Sequence, residues 1–223
     1  MNSSYDWSQY NNQRNKQAIK INNYNIRSNT NFFELGHYNH VRDIYALSLL
    51  LMGKRRGKIK VLDFGGNLIV HANLVNKIKI NRLFFYIFNP HMKDLKKKLS
   101  FKYKILSNIE LLLNKKFDFL YFGSSLQYIR SFEKIKKLNF ITKSEYILIT
   151  HTPISLGSKK SFLSKQINHK GLYQTIYSYN FIHKKILKNK YDLIFKSIND
   201  QKYTDLKKNN KKIYSTNLLF KKK

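Results

Sequence analysis

Five short apolar runs, at residues 59–64, 83–88, 103–106, 117–122 and 146–150, constrain this chain more than any other feature. Each has strand length, and each is apolar at successive positions rather than at alternate ones. Such runs are buried on both faces, as in a parallel sheet covered on both sides. Helical patterns lie between several of them, at 68–80, 92–99 and 132–141, and an amphipathic helix is expected over 37–52, before the first. The alternation predicts an α/β fold. A helix over 180–187 and two late strands, 191–198 and 213–220, follow, joined only by the polar residues 199–212. With no helix between them, they are expected to form an antiparallel hairpin at the sheet edge. The expected sheet therefore has seven strands and is mostly parallel, with helices on both faces. Residues 1–36, rich in Asn, Gln and Ser, read as a weakly ordered lead-in to a domain over 37–220. The stretch 153–178 shows no clear period and reads as a long loop or insertion.

A chain of 223 residues is long enough to bury a full core in one domain. The absence of Cys excludes disulfides, thiolate chemistry and Cys-based zinc sites. No apolar run is long enough to span a bilayer, and the polar N-terminus does not resemble a signal peptide, so a cytoplasmic location is expected. The net charge of +31 invites a nucleic-acid partner. All but seven of the 43 basic residues are Lys, however, and Ala, Pro and Gly are scarce while Asn, Ile, Tyr and Phe abound. The favoured residues have A/T-rich codons, so a compositional origin accounts for most of the charge. Basic residues are also dispersed along the chain, whereas a binding arm would concentrate them and favour Arg. Nucleic acid is therefore not the favoured partner.

Chemistry concentrates at Val61-Leu62-Asp63-Phe64-Gly65-Gly66. An apolar strand that runs into an acidic residue and then two glycines lets backbone approach a ligand closely, beside the start of the next helix. The three-glycine dinucleotide spacing and the GK[ST] phosphate loop are both absent. An Asp-x-Gly-Gly turn instead suits S-adenosylmethionine (SAM), whose cationic end needs no phosphate cradle. The seven His form no HxH or HxxxH pair, so no metal site is expected. No Gly-x-Ser-x-Gly nucleophile turn occurs.

The ordered segments VLDFGG (61–66), FDFLYFGSSLQYI (117–129), ILITHTP (147–153) and SKQ (164–166) carry a resemblance. Together they resemble a family of SAM-dependent methyltransferases found among bacterial surface-polysaccharide genes, over about residues 40–200. The resemblance implies a Rossmann-like class I methyltransferase fold with SAM as cofactor. Carried over by position, it implies that Asp63, Gly65 and Gly66 line the methionine end, with Ser107 and Asn108 near the adenine. Asn89 stands where such enzymes place a ribose-binding carboxylate, a change that weakens the anchor by about 1–2 kcal/mol. A second departure is Asn67-Leu68-Ile69, where a small residue is usual. Ser124, Ser125 and Gln127 are expected to face the transferred methyl group and substrate, with Tyr128 as an aromatic wall or cation–π face. His151, Thr152 and Gln166 would border the acceptor, and His151 is the candidate base. The implied reaction is methylation of a small or saccharide-type acceptor, possible in surface-polysaccharide synthesis. The competing readings are a catalytically degenerate binding protein of the same fold and an RNA methyltransferase.

Overall fold

The computed structural model describes residues 44, 45, 47–49, 52, 57–66, 82–89, 103–113, 115–129, 139–165, 173–183, 189–199 and 213–223. Residues 1–43, including the expected lead-in, and the expected helices over 68–80 and 92–99 lie outside this set. The apolar runs of the first half form strands β1 (Ile59–Phe64), β2 (Leu83–Phe88), β3 (Tyr103–Leu106) and β4 (Phe119–Gly123). They are joined by β5 (Tyr146–Ser155), and the order across the sheet is β3-β2-β1-β4-β5, all parallel. The chain leaves β1 toward β2 and β3, then returns to its other side with β4. This reversal places the topological switch point of the sheet at the carboxyl ends of β1 and β4, where open α/β sheets bind ligands.

Successive apolar residues on each strand feed two separate cores. Val61, Phe85, Phe119, Tyr121 and Leu148 face one side, where the helical residues Tyr45, Leu49 and Met52 cover them. The Tyr45 ring stacks on Tyr121 with centroids 4.0 Å apart. Leu62, Phe64, Phe88, Leu120, Phe122, Ile147 and Ile149 face the other side. There they meet Leu112 from the helical turn α1 (Glu110–Leu113) and Phe140 and Ile141 from α2 (Asn139–Lys143). Residues 61 and 62 thus serve opposite layers, which is why apolar residues stand at successive positions of the strand.

The late half departs from the expectation. The expected hairpin is present as β8 (Tyr191–Asn199) and β9 (Ile213–Lys222), antiparallel to each other, and β9 also runs antiparallel to β5. Two further strands, β6 (Phe162–Lys165) and β7 (Tyr173–Ser178), raise the number among the described residues to nine where seven were expected. Both fall in the stretch read as a long loop, and β5 itself continues through it to Ser155. Beyond the end of β4, Ile154 and Ser155 of β5 pair with Tyr177 and Ser178 of β7. The β6–β7 hairpin therefore occupies the lane of β4 above its carboxyl end. Among the described residues, no helix is long and apolar enough to cross a membrane.

Candidate functional site

The carboxyl edge gathers most of the residues singled out in the sequence. At the end of β1, Gly65 takes φ +79° and donates its N–H to Phe88 O at 2.8 Å. A side chain is strained in that left-handed conformation, so the turn calls for glycine. Gly66 is required for a different reason. A Cβ added there would lie 2.9 Å from Asp63 Cβ and closer still to its carboxylate. The buried Asp63 side chain thus folds back over the second glycine. Asn89, after β2, donates from Nδ2 to Gly66 O at 3.1 Å and from its backbone N–H to Leu106 O at 3.0 Å. Its amide therefore ties the ends of β2 and β3 to the glycine turn.

After β3, Ser107 is half-buried, while Asn108 is exposed and accepts the Glu110 N–H at 3.0 Å on Oδ1. Asn108 Nδ2 also donates to Glu110 Oε2 at 3.2 Å. This side chain caps α1, a common role for Asn before a helix.

Beyond β4 the chain turns sharply. Ser124 has φ +56°, its N–H donates to Thr150 O at 3.0 Å, and its Oγ donates to His151 O at 3.3 Å. Ser125, Gln127 and Tyr128 follow in and before a 3₁₀ turn over Leu126–Tyr128, and all three are buried. Gln127 Nε2 reaches Ser124 Oγ at 3.5 Å. Gln127 Oε1 and Ser125 Oγ have no hydrogen-bond partner among the described residues. The segment is fastened from above by β7, where Thr175 Oγ1 and Tyr177 Oη both donate to Ile129 O.

At β5 the ladder with β9 breaks. Ile149 pairs with Leu218 and Thr152 with Thr216, so Thr150 and His151 together face Asn217 alone. Such a bulge kinks the strand and takes backbone groups out of the ladder. His151 sits there at φ +52° and is buried. Its N–H donates to Asn217 Oδ1 at 2.9 Å, and its Nδ1 lies 3.4 Å from Ser215 Oγ. Asn217 Nδ2 donates in turn to Ser197 Oγ on β8 at 2.9 Å. Thr152 is also buried, with its hydroxyl donating to Thr150 O at 3.1 Å. Gln166 lies outside the described residues, as does Asn67-Leu68-Ile69.

Asp63, Gly65, Gly66, Asn89, Ser107, Ser124, Ser125 and Gln127 therefore come from the carboxyl ends of β1 to β4, and His151 and Thr152 lie within β5 just beyond the level of Gly123. Ser215 and Asn217 were not anticipated. Their signal in the sequence is the polar triplet Ser215-Thr216-Asn217 before the apolar Leu218-Leu219-Phe220 of one strand. Among the described residues, no group of three His, Asp or Glu side chains is placed to hold a metal ion.

This arrangement of strands is shared with solved structures. The N-terminal domain of EvdMO1, with S-adenosylhomocysteine (SAH) bound, matches with a TM-score of 0.59 at 9% identity, over 97% of this chain and 100% of that one. Magnesium protoporphyrin IX methyltransferase from Synechocystis PCC 6803, also with SAH, matches with a TM-score of 0.54 at 13% identity, over 92% and 99%. The chain has the class I methyltransferase fold. The [4+2]-cyclase SpnF shares this fold too, with a TM-score of 0.56 at 11% identity over 82% of this chain and 80% of its own. Within the methyltransferase fold, then, the reaction has to be read from the site. No protein-family model matches the sequence, and neither does any curated protein sequence.

Proposed function

We propose that the chain is a SAM-dependent methyltransferase acting on a small or saccharide-type acceptor. The observation that carries this reading is the turn after β1. Gly65 takes a left-handed conformation, and the buried Asp63 carboxylate is packed over Gly66 at the switch point of the sheet. A buried carboxylate beside a glycine turn suits a ligand end that carries an ammonium group and a sulfonium. The buried Gln127 Oε1 and Ser125 Oγ, unpartnered among the described residues, suit a polar ligand on the β4 side, since such atoms are costly to leave unmade. Two of the structural neighbours hold SAH, which supports the same cofactor here.

In this reading Asp63, Gly65 and Gly66 hold the methionine end, while Asn89 and Ser107 border the nucleoside. Asn108 contributes on the adenine side, where its amide fixes the start of α1. Ser124, Ser125 and Gln127 bind on the transfer side, with Tyr128 behind them, and Thr152 and Gln166 border the acceptor. When bound, SAM supplies an electrophilic methyl group on a sulfonium whose C–S bond breaks to leave a neutral thioether. His151 takes the proton that the acceptor oxygen or nitrogen gives up, and alignment of acceptor and methyl supplies most of the rate. An acceptor drawn from surface-polysaccharide precursors follows from the family resemblance.

A second reading, a protein that binds without catalysing, draws on Asn89. It stands in the place of a ribose-binding carboxylate, and its Nδ2 is committed to the glycine turn through Gly66 O. Calorimetric titration with SAM and SAH tests the cofactor claim. Saturable binding is expected, and absence of binding at millimolar ligand would sink it. Release of SAH during incubation with a panel of hydroxylated acceptors then separates catalysis from silent binding.

A further inference from the structure

We propose that Ser215 and Asn217 on β9 are positioning residues that clamp His151 at the β5 bulge and assign its base function to Nε2. This rests on the reading of His151 as the acceptor-side base, and it adds two residues from a strand that contributes nothing else to the site. The bulge takes the His151 N–H out of the β5–β9 ladder. A buried N–H without a partner is rare in native proteins. Asn217, the single residue opposite the bulge, accepts it at 2.9 Å and is itself braced by Ser197 on β8 at 2.9 Å.

The carbonyl of His151 is engaged from the other side, by Ser124 Oγ at 3.3 Å. Both ends of the residue are therefore held, and both holders sit at unusual backbone: Ser124 and His151 are the non-glycine residues with positive φ among those described. Strained conformations of this kind persist where surroundings over-determine them, and they cluster at functional sites. The ring is fixed as well, since Ser215 Oγ stands 3.4 Å from Nδ1. A hydroxyl accepting from Nδ1–H stabilises the tautomer whose lone pair is on Nε2. A proton arriving from the acceptor then binds Nε2, while Nδ1–H keeps its bond to Ser215 as the imidazole becomes imidazolium.

The test is nitrogen-15 NMR of imidazole-labelled full-length protein, with His151→Gln used to assign the His151 signals. In the parent protein, His151 is expected to show protonated Nδ1 and unprotonated Nε2 when neutral. Ser215→Ala should collapse this into an averaged tautomer pattern, and Ser215→Thr, which keeps the hydroxyl, should restore it. Asn217→Asp, which keeps an acceptor oxygen for the N–H, should preserve the pattern, whereas Asn217→Leu should shift it. The proposal is overturned if the parent protein carries the proton on Nε2, or if Ser215→Ala leaves both ring signals unmoved. These spectra need no ligand, so they are read separately from calorimetry. If the parent protein failed to bind SAH, the methyltransferase reading would fall while the clamp would still be decided by the ring signals.

Discussion

At the β1 end of the carboxyl edge the chain makes room by leaving side chains out. At the β5 end it crowds polar side chains around a kink. Gly65 and Gly66 give up their Cβ atoms so that the chain can turn and Asp63 can fold back. His151 instead keeps a large side chain in a conformation that glycine would take without strain, and Asn217, Ser215 and Ser124 hold it there. The first arrangement is local, since it depends on four consecutive residues and two adjacent neighbours, Phe88 and Asn89. The second is distributed, because its holders come from β4, β8 and β9. Damage at β1 should therefore be concentrated on fold and cofactor together, whereas damage at β5 should be separable from cofactor binding.

The largest expected effect is at Gly66. In Gly66→Ala the Asp63 carboxylate could rotate away, but its Cβ, 2.9 Å from the new methyl, cannot move without the strand. Overpacking of this kind costs up to about 3 kcal/mol. Thermal unfolding should register that loss, and SAH binding should vanish in the same variant. Retention of both would break the contrast at its local end.

Asn217→Leu comes next. It keeps the volume but strands the His151 N–H in the interior, at a cost of about 2 kcal/mol. Urea unfolding should show the loss while SAH affinity, set at β1, stays near that of the parent protein. A loss of affinity equal to that of Gly66→Ala would show that the two ends are not separable.

Asn89→Asp sharpens the local half. On sequence grounds a carboxylate here should strengthen a ribose anchor. In the structure, however, Asn89 donates to Gly66 O at 3.1 Å, a bond that an ionised Asp cannot make. The substitution should therefore destabilise the turn by about 1–2 kcal/mol. Calorimetry should find weaker SAH binding, and tighter binding would mean that the amide bond is dispensable.

The same division governs what was legible beforehand. Strands β1 to β5 could be read because residues such as Val61 and Leu62 serve opposite cores, which puts apolar residues at successive positions. Strands β6 and β7 could not. β7 buries Gln174, Thr175 and Ser178, so its sequence looks like a polar loop. Thr175 and Ser178 meet their needs by hydrogen bonds to Ile129 O and Ser158 O, which no periodicity announces. β6 exposes Leu163 and, among the described residues, pairs with β7 alone. At the site, glycine and Asp63 were visible because small and acidic residues are conspicuous in an apolar, basic chain. Ser215 and Asn217 were hidden because their importance depends on a bulge 66 residues away in sequence from Asn217, a separation that only the fold closes. Asn108 adds a role that the family resemblance does not carry, since its side chain caps the start of α1.

The smallest effect concerns the lid that β7 forms over the end of β4. Tyr177 Oη donates to Ile129 O, and burial pushes this phenol far above its ordinary pKa of 10.0. Tyr191, which donates toward Ile141 O and Ser144 O, is raised by burial as well. Because the folded state holds both phenols protonated, their contribution is fully present below pH 10 and is lost as pH rises beyond it, where the unfolded chain ionises first. Tyr177→Phe removes one hydrogen bond and should cost about 1 kcal/mol at neutral pH. It should also flatten the alkaline fall in stability measured by urea unfolding at successive pH values. Ile129 O keeps the Thr175 hydroxyl as a partner, so the β4 turn should hold and the His151 ring signals should not move. If they do move, β7 supports the clamp at β5 as well as the β4 turn, and the distributed half of the site reaches one strand further than β8 and β9.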